Sequence, residues 1–369
     1  MFSLFKRKAP ETPREQTFKT RVADFWKWYA GASDRIYRAV DGREMPPELI
    51  SEVSARVGEM QAGFAWVFGP GADGKGHSLT ISGEGNPHKQ LLAAFCVAQA
   101  PKLDGWTFHS ARQSTPNPGL NTIKIAGVSL DPQAFWLTPA VNEERQRIDL
   151  TVWHPVFPQL PDGARWTVLF LFLDEALGEI GTQNWIGEIE MNDTKLAGAL
   201  PLAELRAYTE RVQADHEWKK GGPGEIWTLY RGEGDNPEMP RGDVFVGTTC
   251  SMRLIQEFGD AEGQLEDPLA GSGADYVYVA FDANILPKGQ EADGRGEMED
   301  ALNAALASTA SGQHLGGAMG NEFAYIDLLL FDGAESIRLV LETLRRLRLP
   351  SGTSLNYFAH EKRGHRIVI

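Results

Sequence analysis

The apolar positions between Arg147 and Met191 are spaced to form a strand, a helix and a second strand. Residues 147–153 alternate apolar and polar side chains, which is the period of a half-buried strand. Residues 165–178 hold the densest apolar run of the chain, and its spacing is helical. The run consists of Trp166, Leu169, Phe170, Leu173 and Leu177, widened by Phe172, Ala176 and Ile180. We therefore expect this helix to lie deep against a sheet, with Asp174, Glu175 and Glu179 on its exposed edge.

A long amphipathic helix is predicted near the amino terminus. Residues 1–16 are polar, proline-broken and without periodicity, which predicts a flexible tail. From Phe18 to Val40, apolar side chains recur every three or four residues. Trp26 and Trp28 do not both fit the buried stripe of such a helix. We therefore name Trp26 and Trp28 as candidate partner-binding residues, with packing against another part of the chain as the alternative.

The predicted elements of the first 220 residues contain the same order twice. Two strands, a helix and a third strand are predicted between Phe64 and His109, and again between Ala134 and Met191. We interpret this order as a possible duplicated β-β-α-β unit within an N-terminal domain of residues 17–220. The glycine-rich stretch 219–224 is the predicted linker to a second domain.

The C-terminal domain, residues 221–369, ends in a regular series of predicted elements. The strands are 276–281, 314–319, 323–331 and 354–358, and the helices are 298–310 and 335–347. The resulting order, β-α-β-β-α-β, is ferredoxin-like and places both helices on one face of the sheet. The other face is left for the earlier strands or for a partner. The fold class predicted for the whole chain is α+β, with two domains that each have a mainly antiparallel sheet and helices on one face.

Composition and charge exclude several classes of protein. A net charge of −14 argues against a general nucleic-acid binder, which needs concentrated Lys and Arg. The 369 residues contain no apolar run long enough to span a bilayer, and the start does not resemble a secretory signal. Cys96 and Cys250 do not suggest a disulfide framework, so we expect a cytoplasmic protein.

Motifs that carry chemistry are not found in the sequence. The histidines lack the HExxH spacing, no GxSxG nucleophile turn occurs, and the glycines do not form a dinucleotide fingerprint. We expect no metal and no cofactor, and we assign no catalytic residue. The alternative is an enzyme or small-ligand-binding protein with a site in the cleft between the domains. Convergence among His77, His109, His154 and Glu188 with shifted pKa values would favour that alternative.

Three stretches, FWKWYAGASDRIYRAV, LDEALGEIGTQNWIGEIEM and EFAYIDLLLFD, resemble bacterial proteins known only as domains of unknown function. The C-terminal half is loosely similar in element order to regulators of ribonuclease activity, which are acidic α/β proteins that bind an enzyme directly. The resemblance implies a shared fold and supplies no catalytic residue. We expect a bacterial protein that binds a protein partner without catalysis, as a regulator or inhibitor of an enzyme. The sequence does not predict its oligomeric state.

Overall fold

The structure is a computed structural model that describes residues 16–115, 118, 123–219, 221–236 and 238–369. The predicted tail of residues 1–16 therefore lies outside the described residues, except for Gln16. The chain divides into two compact units. The N unit consists of Ala30–Gly58 and Gly63–Trp227. The C unit consists of the described residues up to Tyr29, Glu59–Ala62 and Thr228–Ile369.

The first 227 residues contain six α-helices and nine strands among the described residues. The helices are α1 (Phe18–Asp41), α2 (Pro47–Met60), α3 (Pro87–Ala98), α4 (Asp162–Leu177), α5 (Glu179–Trp185) and α6 (Leu205–Asp215). The strands are β1 (Ala65–Pro70), β2 (His77–Ser82), β3 (Trp106–His109), β4 (Ile123–Ile125), β5 (Val128–Leu130), β6 (Trp136–Asn142), β7 (Arg147–Trp153), β8 (Ile186–Met191) and β9 (Leu200–Pro201). The first half of α1 belongs to the C unit and its second half to the N unit.

The N unit contains two segments with the same strand pairing. In the first, β1 pairs antiparallel with β2, and β2 pairs parallel with β3 across the crossover helix α3. In the second, β6 pairs antiparallel with β7, and β7 pairs parallel with β8 across α4 and α5. Strand β9 extends the second sheet beside β6, and β4 and β5 form a separate hairpin. A common origin of the two segments stays a prediction.

The core of the second segment lies between α4 and its sheet. On β7 the side chains of Ile148, Leu150 and Val152 are buried, which confirms the predicted alternation. Helix α4 faces them with Val168, Leu169, Phe172, Leu173 and Ala176. Burial of one such side chain contributes about 1.5–3 kcal/mol, so this layer is a main source of stability for the N unit.

The C unit contains one seven-stranded antiparallel sheet. Its helices are α7 (Met252–Asp260), α8 (Glu291–Ala307) and α9 (Gly333–Arg346). Its strands are β10 (Thr228–Arg231), β11 (Val244–Thr249), β12 (Asp275–Asp282), β13 (Gly312–Gly320), β14 (Phe323–Leu330), β15 (Ser354–Tyr357) and β16 (Ile367–Val368). The strands lie in the order β10-β11-β13-β14-β12-β15-β16. The four strands β13-β14-β12-β15, with α8 and α9, have the predicted ferredoxin-like topology.

Alternate residues of the central strands divide the C-unit sheet into two faces. Val277, Val279 and Phe281 of β12 pack with residues of α8 and α9 such as Leu302 and Val340. Tyr278 and Ala280 lie between them in sequence and therefore point to the face opposite α8 and α9. The predicted α+β class with mainly antiparallel sheets is confirmed. The face opposite α8 and α9 was left in the sequence for the earlier strands or for a partner. Of the earlier strands, β11 pairs with β13 and extends the sheet at its edge.

Among the residues that the structure describes, no helix combines the length and the apolar character needed to cross a bilayer.

Candidate functional site

Helix α4 carries a row of large apolar side chains on its solvent side. Trp166, Phe170 and Leu171 are 40%, 45% and 40% exposed, and Val67 of β1 is 47% exposed. The rings of Trp166 and Phe170 stack with centroids 6.1 Å apart. We call these four residues the α4 surface. Clusters of exposed large apolar side chains mark interaction sites more often than isolated ones do.

The α4 surface corrects the predicted depth of this helix. The buried residues of α4 follow the row that contains Leu169 and Leu173, and Trp166 and Phe170 fall outside that row. The apolar stripe that the sequence suggested therefore combines two different faces. Because apolar residues occur nearly all round this helix, periodicity shows that α4 is helical but not which side meets the core.

A cavity of about 340 Å³ opens beside Leu171 of α4 and Val67 of β1. We call it the α4 pocket. Asp174 and Glu175 contribute carboxylates to its wall, and Arg112 contributes a guanidinium. The guanidinium already makes an ion pair with Glu84, and its Nη1 lies 3.8 Å from Oδ2 of Asp174. The charge that the α4 pocket presents is therefore negative.

Glu179 stabilises the inner side of this region. Its carboxylate accepts hydrogen bonds from Ser82 Oγ at 2.6 Å and Gln90 Nε2 at 2.8 Å. It also accepts from the backbone N–H groups of Gly85 at 3.0 Å and Arg112 at 3.2 Å. Burial alone would raise the pKa of Glu179, but these four hydrogen bonds hold it below its ordinary value. Glu179 is thus a structural carboxylate, and its hydrogen bonds hold β2, α3 and the backbone at Arg112 to α5.

Asp174 has the opposite electrostatic character. Its side chain is 17% exposed, and burial raises its pKa to about 6. The charges of Glu179 and Glu84 add to the rise, whereas the Thr182 hydroxyl and Arg112 oppose it. A cation placed in the α4 pocket would favour the ionised form of Asp174.

The acids of α4 and α5 were expected on an exposed helix edge, and that expectation was wrong for Glu179 and Asp174. Glu179 is 4% exposed and Asp174 is largely covered. The reason is Gly178, whose φ of +77° ends α4 and starts α5 in a new direction. A glycine after an apolar helical run is the signal that could have shown the break.

Trp26 and Trp28 lie in an aromatic cluster of α1 within the C unit. The ring of Phe25 is 4.9 Å from that of Trp26 and 5.7 Å from that of Trp28, measured between centroids. Tyr29 contacts both tryptophans, at 5.8 and 6.0 Å. Trp26 is 4% exposed, and Trp28 is half-buried. Partner binding by these two residues stays a prediction.

The sequence named His77, His109, His154 and Glu188 as residues that could converge in an enzyme site. In the structure their contacts are with other residues. Nε2 of His154 lies 2.9 Å from the carbonyl oxygen of Asp131, and its Nδ1 accepts from Val156 N at 3.3 Å. The ring is therefore a neutral tautomer, and burial lowers its pKa.

The remaining members of that set have other partners. Nε2 of His77 lies 3.6 Å from Oδ1 of Asp41, and Glu188 pairs with Arg145 at 2.6 Å. Burial lowers the pKa of His109, which lies on β3. Within the described ranges, no group of three His, Cys, Asp or Glu side chains is arranged to hold a metal ion.

Comparison of the chain with protein-family models, with curated proteins and with solved structures finds no match.

Proposed function

We propose that this is a non-catalytic, regulatory protein that binds a segment of a protein partner on the α4 surface. The observation that carries the proposal is the row of Trp166, Phe170 and Leu171, which together with Val67 are 40–47% exposed. Burial of a large apolar side chain contributes about 1.5–3 kcal/mol. A partner that buries these side chains gains this free energy, because they stay exposed when the chain folds alone.

The charge of the α4 pocket defines the chemistry of the partner. Asp174 and Glu175 line a cavity that begins at the apolar row, and Arg112 is already paired with Glu84. A lysine or arginine side chain has an apolar stem that fits such a cavity and a cationic end that meets the carboxylates. The proposed partner segment therefore carries a basic residue next to an aromatic or aliphatic one.

Binding explains this region better than catalysis does. Glu179 accepts four hydrogen bonds, so it has little capacity left to exchange a proton with a substrate. Tryptophan and arginine are enriched among the residues that dominate binding energy at interfaces. A regulatory role and a bacterial, cytoplasmic location belong to the same proposal. Cys96 and Cys250, which form no disulfide, support a reducing compartment.

The test is selection of a random peptide library against the full chain. We expect the selected peptides to carry lysine or arginine beside an aromatic or aliphatic residue. One selected peptide is then synthesised and titrated against variants by fluorescence anisotropy. Phe170→Ser and Asp174→Asn should each weaken its binding about tenfold or more, because one removes apolar contact and the other removes a charge.

Two control variants separate this site from other surfaces. Leu196→Ser changes a residue that is 38% exposed elsewhere in the N unit and should leave the affinity unchanged. Trp28→Ala tests the prediction made from α1. Equal affinity for wild type and Phe170→Ser, or selected peptides without basic residues, would contradict the proposal. Loss of binding only in Trp28→Ala would move the partner site to α1.

A further inference from the structure

The face of the C-unit sheet opposite α8 and α9 contains a cavity of about 580 Å³. We call it the sheet pocket. Ala280 of β12 lies at its floor, opposite Tyr325 on β14 and Ser354 on β15. The next row of the same face holds Asp327, Tyr278 and Asn356. A small alanine between larger neighbours leaves a hollow, and the described residues that line it all belong to the C unit.

The walls of the sheet pocket are held by buried charges. Arg241 donates to both carboxylate oxygens of Asp327, at 2.5 and 3.1 Å. Their side chains are 4% and 1% exposed. The guanidinium of Arg241 also lies 5.2 Å from the ring centre of Tyr278 and 5.0 Å from that of Tyr325. This pair fixes the loop before β11 against the sheet, so the pocket is formed before any ligand enters.

Asp243 fixes the other side of the same loop. Its Oδ1 accepts from the Tyr325 hydroxyl at 2.5 Å. Its Oδ2 accepts from the backbone N–H groups of Glu322 at 3.1 Å and Phe323 at 3.0 Å. Asp243 and Glu322 therefore place negative charge at the β13–β14 end of the pocket, and Asp235 of the loop adds to it.

The opposite end of the sheet pocket is basic. Arg363 and Arg366 lie between β15 and β16 and line the cavity. Arg363 donates to the carbonyl oxygen of Gly263, and Arg366 donates to Ser354 Oγ at 3.3 Å. Among the described carboxylates, none forms an ion pair with either arginine. Guanidinium groups without a carboxylate partner suit a phosphate or carboxylate of a ligand.

We infer that the sheet pocket binds a small molecule with a flat ring, an anionic group at one end and amino donors at the other. The anion pairs with Arg363 and Arg366, the ring lies over Ala280 at the floor, beside the largely covered Tyr278 and Tyr325, and the donors meet Glu322 and Asp235. The cavity volume is within the range of about 300–1,000 Å³ that holds small organic ligands. This site is separate from the α4 surface, so each can fail without the other.

Two sets of probes distinguish the phosphate form of the ligand from the carboxylate form. Adenosine monophosphate is compared with adenosine, which lacks the anion, and with inosine monophosphate, which lacks the exocyclic amine. In the second set, 4-aminohippurate is compared with hippurate, which lacks the amine. Binding to the full chain is measured by calorimetry. We expect one of the two complete probes to bind. Its truncated relatives should bind at least about tenfold more weakly, or not at all.

Variants decide whether a bound probe occupies the sheet pocket. Ala280→Leu fills the floor and should abolish binding, and Arg366→Gln should weaken it about tenfold. Arg345→Gln, an exposed arginine at the end of α9, is the matched control and should have no effect. Failure of both complete probes at millimolar concentration would overturn the inference. So would binding that Ala280→Leu and Arg366→Gln leave unchanged.

Discussion

The α4 surface with its adjoining α4 pocket, on one side, and the sheet pocket, on the other, use aromatic, arginine and carboxylate side chains in opposite ways. In the sheet pocket, Arg241 and Asp327 are paired and nearly inaccessible, and the tyrosines that pack around them are covered. On the α4 surface, the stacked rings of Trp166 and Phe170 are 40% and 45% exposed. The difference shows that buried pairs can shape a rigid cavity, whereas exposed apolar side chains leave free energy available for a partner.

The acids of the two regions differ in the same way. Asp243 accepts three hydrogen bonds and Asp327 is held by a guanidinium, so both are used by the fold. Asp174 is covered but incompletely compensated, and its pKa is raised to about 6. A covered acid with a raised pKa gains from an added cation, which a fully paired acid does not.

The largest expected change in stability comes from disrupting the Arg241–Asp327 pair. Asp327→Asn keeps the shape of the side chain but leaves the guanidinium of Arg241 buried without its counter-ion. We expect the free energy of unfolding of the C unit to fall by about 3–5 kcal/mol, measured by urea denaturation. Replacement of both partners by apolar residues should recover part of the loss. A loss below about 1 kcal/mol in Asp327→Asn would show that the pocket wall does not depend on this pair.

Two leucines of α4 provide the next comparison, since they lie two residues apart. Leu169 is fully buried, and Leu171 is 40% exposed. Leu169→Ala should lower the free energy of unfolding by about 2–5 kcal/mol because it creates a cavity. Leu171→Ala should cost less than about 1 kcal/mol. Equal losses in chemical denaturation would show that Leu171 packs against the core and that the α4 surface is not open.

A smaller effect is expected on the pH dependence of the free energy of unfolding, through ionisation of Asp174. Its pKa in the folded state is about 6, above the ordinary 3.8, so the folded state binds the proton more tightly than the unfolded state does. The free energy of unfolding should therefore fall as pH rises between these two values and stay lower above them. Asp174→Asn should remove this dependence and stabilise the protein at neutral pH by about 1–2 kcal/mol.

The same measurement needs a control for the other acids. Glu179 has a lowered pKa, so the stability that it contributes is present above its ordinary value of 4.5 and is lost as pH falls below it. Comparison of wild type with Asp174→Asn at each pH cancels that loss. A wild-type profile in Asp174→Asn would contradict the assignment.

The sequence predicted the ferredoxin-like part of the C unit because its central strands, YVYVAF and FAYIDLLLF, are nearly continuous apolar runs. Residues 323–331 were predicted as a strand, and β14 spans Phe323–Leu330. The same stretch also indicates a buried ion pair, since Asp327 is a lone carboxylate within an apolar strand. Such an acid needs a buried partner. Arg241 lies 86 positions away in a loop, so no local pattern could identify it.

The α4 surface could not be predicted from the sequence for a different physical reason. Apolar residues surround α4, and periodicity alone does not distinguish Leu169, which meets the core, from Phe170, which meets solvent. The network of Glu179 joins residues from positions 82 to 179, and only the tertiary fold brings them together. Trp26 and Trp28 stood out in the sequence because aromatic residues on one helix are conspicuous, but their exposure depends on the surrounding chain.

The most direct test of the proposed partner site is a double-mutant cycle across the α4 pocket. The selected peptide is titrated against wild type and Asp174→Asn, once with its basic residue and once with a neutral residue of the same length. Direct pairing predicts a coupling energy of about 1 kcal/mol or more between Asp174 and the basic residue. A coupling energy near zero would show that the cation does not enter the α4 pocket and would contradict the account.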